Sequence, residues 1–481
     1  MKKAAAIIAL LLTLCLFGCG GHTHKREEGE IPPPSYHITA ELFPDECRLT
    51  VTTEIEYHSP ADDLSAVKFH LYPNAYREGR AVVTEDKKSA AYPRGRESYG
   101  GAEVLSVTAN LPVTDYSLGE EDLVLTVRLG SRLKRGEVVR FCIDQKITLA
   151  NVKHRLGYAD GYFFLFGFYP AVCPFVGGKF LTYPVMPYGD PFRFENASFS
   201  LTLTLPLGYE CACSAEEQKH ERADNKETFF YAAQASRDVT VVASQKIRRF
   251  SSEIFDKKLF YYASDGTDKQ KILSLMADAV KYYQEQFGAY PYPTYTVVAA
   301  PFFEAGVEHA GLAVVAKDLP LHQKKKAILH ETAHQWWFGK VGSDEFLHPW
   351  LDEGLAEYAV AAFYRDNGFP AIYREMIADA EENFSIRLAL KGTSGTRFDL
   401  PLSELADGYY DRAYSGGLLL FNTLAERFGA KRFHAALKAF ATRYSGAVAT
   451  PDDLIRSLSS SLGEDLSPHF HAWLTATVPL Q

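Results

Sequence analysis

Along the chain, apolar and polar residues alternate first with the period of a strand and later with that of a helix. In "SFSLTLTLPLGY" the apolar side chains Phe199, Leu201, Leu203 and Leu205 fall at every second position, as in a strand with one buried face. "CRLTVTTEIEYHSP" and "DVTVVASQKI" read the same way, with β-branched residues closed off by turn formers. From about Ser35 to Ser244 this texture predicts strands and turns. The uncharged run from Gly161 to Gly178 is long enough to suggest a membrane span, but Pro170, Pro174 and four glycines disfavour a helix. Buried strands and loops are expected there instead.

Beyond about Phe250 the period changes. "DKQKILSLMADAVKYYQEQFG" has helical apolar spacing and a stop at Gly288. A short strand is expected in "TYTVVAAP", and helices in "HQKKKAILHETAHQWWFG" and "HPWLDEGLAEYAVAAFYRDNG". The change of texture puts a domain boundary near 245–255, giving a β-rich domain over 35–248 and a mainly helical one over 249–481. A length of 481 residues suits two or three domains.

Composition narrows the partners. With 47% hydrophobic and 23% charged residues, most of the chain folds into packed cores. A net charge of -9 without a long basic run argues against nucleic acid. The triplet Lys324-Lys325-Lys326 is expected on a solvated helix face. At the N-terminus, Lys2 and Lys3 precede an apolar run from Ala4 to Phe17, the layout of a signal peptide over residues 1–18. The run ends in Leu16-Phe17-Gly18-Cys19, which resembles the lipobox of bacterial lipoproteins. That resemblance implies cleavage before Cys19, leaving a diacylated cysteine as the new N-terminus. The protein would then be anchored to a bacterial cell membrane outside the cytoplasm; ordinary secretion is the alternative. Residues 19–34 read as a flexible, proline-rich linker. Cys47, Cys142, Cys173, Cys211 and Cys213 lack metal-site spacing and define no disulfide framework.

The stretch "ILHETAHQWWFGK" carries the densest chemistry. Residues four apart share one face of a helix, so His330 and His334 can reach one metal ion. Glu331 lies one position round, suited to act as a general base on a water at that metal. The flanking Ile328, Leu329, Trp336, Trp337 and Phe338 imply burial, and buried polar groups require partners. A catalytic zinc takes three protein ligands and keeps one open position. "WLDEGLAEY" offers Glu353 on the next helix, with eighteen residues between it and His334, and Glu357 on the same face can orient a ligand histidine.

This order of motifs resembles the aminopeptidase N family of gluzincin metallopeptidases, which includes leukotriene hydrolase. The resemblance implies one zinc ion on His330, His334 and Glu353, with Glu331 as the base. It implies a tyrosine stabilising the tetrahedral intermediate, at Tyr414 in "AYSGGLLLFNTL", where Gly416 replaces the family's frequent lysine. It implies an anchor for the substrate's α-amine at Glu308 in "AGVEHAGL". There Ala305, Val307 and His309 stand where the family has glycine, methionine and asparagine. His309 is accordingly expected to alter the shape or charge of the first subsite.

The implied fold class is α+β and multidomain. An N-terminal β-saddle, sandwich-like domain precedes a mainly helical, thermolysin-like catalytic domain, with no C-terminal helical roof and hence an open cleft. The implied function is zinc-dependent removal of N-terminal residues from peptides with a free N-terminus. The alternatives are a zinc endopeptidase with an open cleft, or a non-catalytic surface-binding protein on the same fold.

Overall fold

The computed structural model describes residues 31–119, 121–190 and 192–475. The signal peptide, Cys19 and most of the 19–34 linker lie outside the described residues. The alternating segments form a seven-stranded sheet built from β1 (Ser35–Phe43), β2 (Arg48–His58), β3 (Gly101–Ala109), β4 (Val138–Thr148), β5 (Ala197–Pro206), β6 (Glu216–Ala223) and β7 (Lys226–Ser236). Their order is β6-β7-β5-β1-β2-β4-β3. β5 pairs in parallel with β1, Leu201 opposite Ile38 and Leu203 opposite Ala40. Those inward residues are buried while the threonines between them stay half-buried, which is the period-two pattern in three dimensions. Smaller sheets complete this β-rich region. The apolar run 161–178 supplies short strands such as Tyr162–Leu165 and the loops around them. Among the described residues no helix is long and apolar enough to cross a membrane.

The second region opens with a five-stranded sheet. Its members are β8 (Arg248–Ile254), β9 (Lys257–Ala263), β10 (Thr294–Ala300), β11 (Gly306–His309) and β12 (Leu312–Ala316), in the order β8-β9-β10-β12-β11. Helix α1 (Lys269–Phe287) crosses between β9 and β10, which pair in parallel as such a crossover requires. β8 and β11 are its antiparallel edge strands, and in β11 Glu308 lies opposite Ala313. Helices α2 (Leu321–Ala333), α3 (Pro349–Asp366), α4 (Pro370–Thr396) and α5 (Gly417–Phe428) follow. The fold is therefore β-rich first and helical after, as the change of period predicts.

Three large apolar cores and a small fourth one of Leu402, Leu405, Tyr409 and Ala413 hold the described residues together. One fills the β-rich region and one the helical region; a third joins Phe164, Phe166 and Val242 of the former to Val298, Leu312 and Val314 of the latter. Polar pins cross at the same place. Arg237, almost fully buried, donates to the carbonyls of Phe338 (2.6 Å) and Ala447 (2.7 Å). Gly342 makes that possible, since a Cβ there would stand 2.1 Å from the guanidinium carbon. The described residues from 33 onward form one compact unit.

The lysine triplet departs from expectation. Lys324 is buried and donates to the carbonyl of Lys317 at 2.9 Å, while Lys326 turns toward Glu357 at 3.4 Å. The helix lies against the sheet and the cleft at once, so three consecutive residues cannot all face water.

Candidate active site

α2 carries His330 near its end, and His334 caps it. Directly afterwards the backbone widens into a π-turn over Gln335–Lys340, a feature that often marks functional sites. The two imidazoles face α3 in reverse order. His330 lies 3.1 Å from Glu357 through Nδ1, and His334 lies 2.7 Å from Asp352 through Nδ1. The later residue of each helix meets the earlier one of the other, so α2 and α3 run antiparallel.

With both Nδ1 atoms turned to carboxylates, both Nε2 atoms turn inward. They lie 3.0 Å apart, and Oε2 of Glu353 lies 3.1 Å from one and 3.4 Å from the other. Carboxylates accept, so a proton on each Nδ1 leaves each Nε2 free to present a lone pair to a metal ion. Two such lone pairs and a carboxylate oxygen pointed at one another are repulsive without a cation between them. The donor set, two nitrogens and one oxygen within 4.8 Å, fits the three-ligand pattern of a catalytic zinc. Glu357 stands where a ligand histidine needs orienting. Asp352 does the same for His334, and sequence reasoning passed it over although it adjoins Glu353.

Glu331 projects beside this trio. Its Oε2 is buried with no hydrogen-bond partner among the described residues, and burial pushes its carboxyl up to about 7 against the pull of His330 and His334. The carboxylate lies so close to β11 that a Cβ on Gly306 would stand 2.3 Å from Oε1. Ala305 replaces a family glycine at no cost, since the close approach is made at Gly306.

Tyr414 enters from a second π-turn, Tyr410–Gly416. Its hydroxyl donates to Oε1 of Glu353, and its ring stacks at 5.7 Å on that of His330. Burial raises the phenol well above its ordinary range, so it stays a donor. Tyr409 reaches the same Oε1 at 3.4 Å. The turn sits close because Gly354 and Gly417 touch: a Cβ on Gly417 would meet the Gly354 Cα at 2.5 Å. Gly416 itself packs against Phe384 and Phe398.

Glu308 faces the cleft from β11, with its carboxylate within 4.8 Å of donor atoms on Glu331 and His334. It is 7% exposed and has no hydrogen bond or ion pair among the described residues. Burial raises its carboxyl well above the usual range. His309 does not shape the subsite, contrary to expectation. Neighbouring strand residues point to opposite faces, and its Nδ1 is held behind the strand by Asp238 at 2.5 Å. Asp238 also accepts from the backbone of Ala310 at 3.1 Å.

These side chains share one cleft of about 680 Å³, whose other wall comes from the β-rich region. There Arg155 donates to Asp190 at 2.5 Å and to the carbonyl of Gly189 at 3.3 Å. Glu304, just before β11, also lines it. None of Arg155, Asp190 or Glu304 sits in a recognisable spacing, and only the fold brings them to the site.

The peptidase family M1 domain matches residues 272–473. Aminopeptidase M1-A of Oryza sativa subsp. japonica is 27% identical over 207 residues, 40% of this chain and 23% of that protein. Aminopeptidase N of Streptomyces lividans is 26% identical over 228 residues, 44% of this chain and 26% of that protein. Aminopeptidase 2 of Candida albicans is 23% identical over 310 residues, 60% of this chain and 33% of that protein. The matches thus span a quarter to a third of these relatives. The M1 zinc metallopeptidase from Deinococcus radiodurans superposes with a TM-score of 0.66 at 16% identity, covering 93% of this chain and 96% of that one, so the fold is shared along nearly its whole length. Residues 272–473, which carry both histidines, Glu331, Glu353 and Tyr414, thus match the peptidase family M1 domain, and the relatives and the shared fold support an aminopeptidase N-like gluzincin with a zinc cofactor.

Proposed function

We infer that the protein is a zinc-dependent aminopeptidase that removes residues one at a time from the free N-terminus of peptides. The observation that carries this reading is the juxtaposition, in one cleft, of the inward-facing His330, His334 and Glu353 trio with two buried, unpartnered carboxylates, Glu331 and Glu308. Zinc held by the trio supplies Lewis acidity toward a carbonyl oxygen and lets water ionise near neutral pH.

The chain's own groups do the rest. Glu308 pairs with the α-ammonium and so places the first peptide bond beside Glu331. Glu331 takes a proton from the attacking water and passes it to the leaving amine. Tyr414, held protonated by burial, turns its hydroxyl from Glu353 to the oxygen on which charge develops. Asp352 and Glu357 hold the two imidazoles in the tautomer that leaves Nε2 free. Anchoring by a lipidated Cys19 outside the cytoplasm belongs to the same reading and rests on residues 1–19.

The test is Glu331→Gln. Turnover of a free-amine peptide should fall by ~10²–10⁴-fold while metal analysis still finds one zinc per chain. Unchanged turnover with zinc in place would overturn the assignment of the base.

A further inference from the structure

We propose that Glu304 selects substrates whose N-terminal residue carries a second positive charge, lysine or arginine, by pairing with that side chain. The proposal rests on the aminopeptidase reading and names its substrate class.

The argument is a count of charges around the cleft. Glu353 is turned to the two histidines, and Glu357 is shared by His330 and Lys326. Asp190 is matched by Arg155 at 2.5 Å. The Arg155 guanidinium makes no ion pair with Glu304 or Glu308 among the described residues, although its buried Nη1 meets no acceptor. Glu331 is reserved for proton transfer. Asp411 faces Arg387 at 3.6 Å, and Asp86 and Lys87, which also line the cleft, are exposed to solvent. Glu304 and Glu308 remain, each without a hydrogen bond or ion pair among the described residues.

An N-terminal residue with a neutral side chain brings one positive charge, its α-ammonium. Glu308 claims that charge, because its carboxylate lies within 4.8 Å of donor atoms on Glu331 and His334, where the scissile bond must sit. Glu304 lines the same cleft four residues before Glu308 and is not part of that close group. When substrate displaces water from the cleft, an unpaired carboxylate there becomes costly. A lysine or arginine side chain removes the cost, and Phe303 and Tyr410 in the same cleft add apolar wall for its methylene stem. Glu304 is half-buried in the cleft wall, and desolvation there raises its carboxyl against the pull of Arg155.

The experiment uses the zinc-loaded full-length protein with fluorogenic amides of lysine, arginine, leucine and glutamate. The lysine and arginine amides should exceed leucine by roughly tenfold or more in kcat/KM, carried by KM, with glutamate lowest. Glu304→Gln should erase most of that ratio, and Glu304→Lys should reverse it toward glutamate. Leucine equal to or above lysine in the native protein overturns the proposal. So does a ratio unchanged in a zinc-replete Glu304→Gln variant. Equilibrium binding of lysinamide against leucinamide to the native protein reads the same preference without turnover. Tighter lysinamide binding with no hydrolysis of any amide would sink the aminopeptidase reading and keep Glu304 as a cation subsite. Equal binding of the two would sink the subsite alone.

Discussion

At the metal end of the cleft, both ligand imidazoles face carboxylates of α3, His330 with Glu353 and Glu357 and His334 with Asp352 and Glu353, and only the base Glu331 is left without a partner among the described residues there. At the amine end, Glu304 and Glu308, on and just before an edge strand, face none. The difference follows from the elements. Two antiparallel helices present side chains at matched intervals, so charges can be fixed pairwise across them. An edge strand opens one row of side chains to whatever enters the cleft. One end is arranged around a cation that stays, the other around a cation that arrives with each substrate.

Substitutions can break that division at known points, and the largest effect is expected at the metal end. Tyr414→Phe removes the hydroxyl now on Glu353 and should lower kcat by ~10²–10³-fold with little change in KM. A parallel loss of bound zinc would mean that the hydroxyl serves the ligand set instead. Gly306→Ala joins the two ends, because the new Cβ would stand 2.3 Å from the Glu331 carboxylate. Displacing the base by about 1 Å should cost ~10²-fold in turnover at full zinc occupancy. Wild-type rates in that variant would show that Glu331 is not confined as described.

Asp352→Asn keeps the shape of the contact to His334 but weakens the charge behind it. Zinc affinity, measured by competition with a chelator, should fall by ~10–100-fold, with the selectivity among substrates unaltered. A change in selectivity instead would erase the boundary between the two ends.

The smallest effect lies outside both. His434 is buried between Tyr358 at 2.8 Å and Gln286 at 2.9 Å, and burial lowers its pKa from 6.5 to about 4. The unfolded chain therefore binds the proton more readily, and the stabilisation is complete above 6.5 and lost as pH falls toward 4. Between pH 6.5 and 5.5 this residue should remove roughly 1 kcal/mol of unfolding free energy. His434→Gln should flatten that part of a denaturant-midpoint against pH curve. An unchanged slope would mean that His434 is already charged in the fold.

The same contrast decides what could be read from the chain. His330, Glu331, His334, Glu353 and Glu357 were legible because helical periodicity alone brings them together. Asp352 was equally within reach, since a ligand histidine needs an acceptor behind it. At the amine end, strand alternation would have turned His309 away from Glu308, yet the motif comparison drew attention to it. Arg155 and Asp190 come from irregular segments more than a hundred residues before the zinc motif, and no local pattern marks them. Their place depends on how the third apolar core seats the β-rich region against the five-stranded sheet. The broad fold needed less: a period of two up to about residue 244, then a period of 3.6, sufficed for β-rich followed by helical.

The central claim is that substrate must bring its own positive charge to the amine end while chemistry proceeds at the metal end. The most direct measurement offers the zinc-loaded protein one peptide library in two forms, free and N-acetylated, with products read by mass spectrometry. The account predicts stepwise loss of N-terminal residues from the free peptides and none from the acetylated ones. Internal cuts in both forms would contradict it, leaving the metal end at work without the amine end.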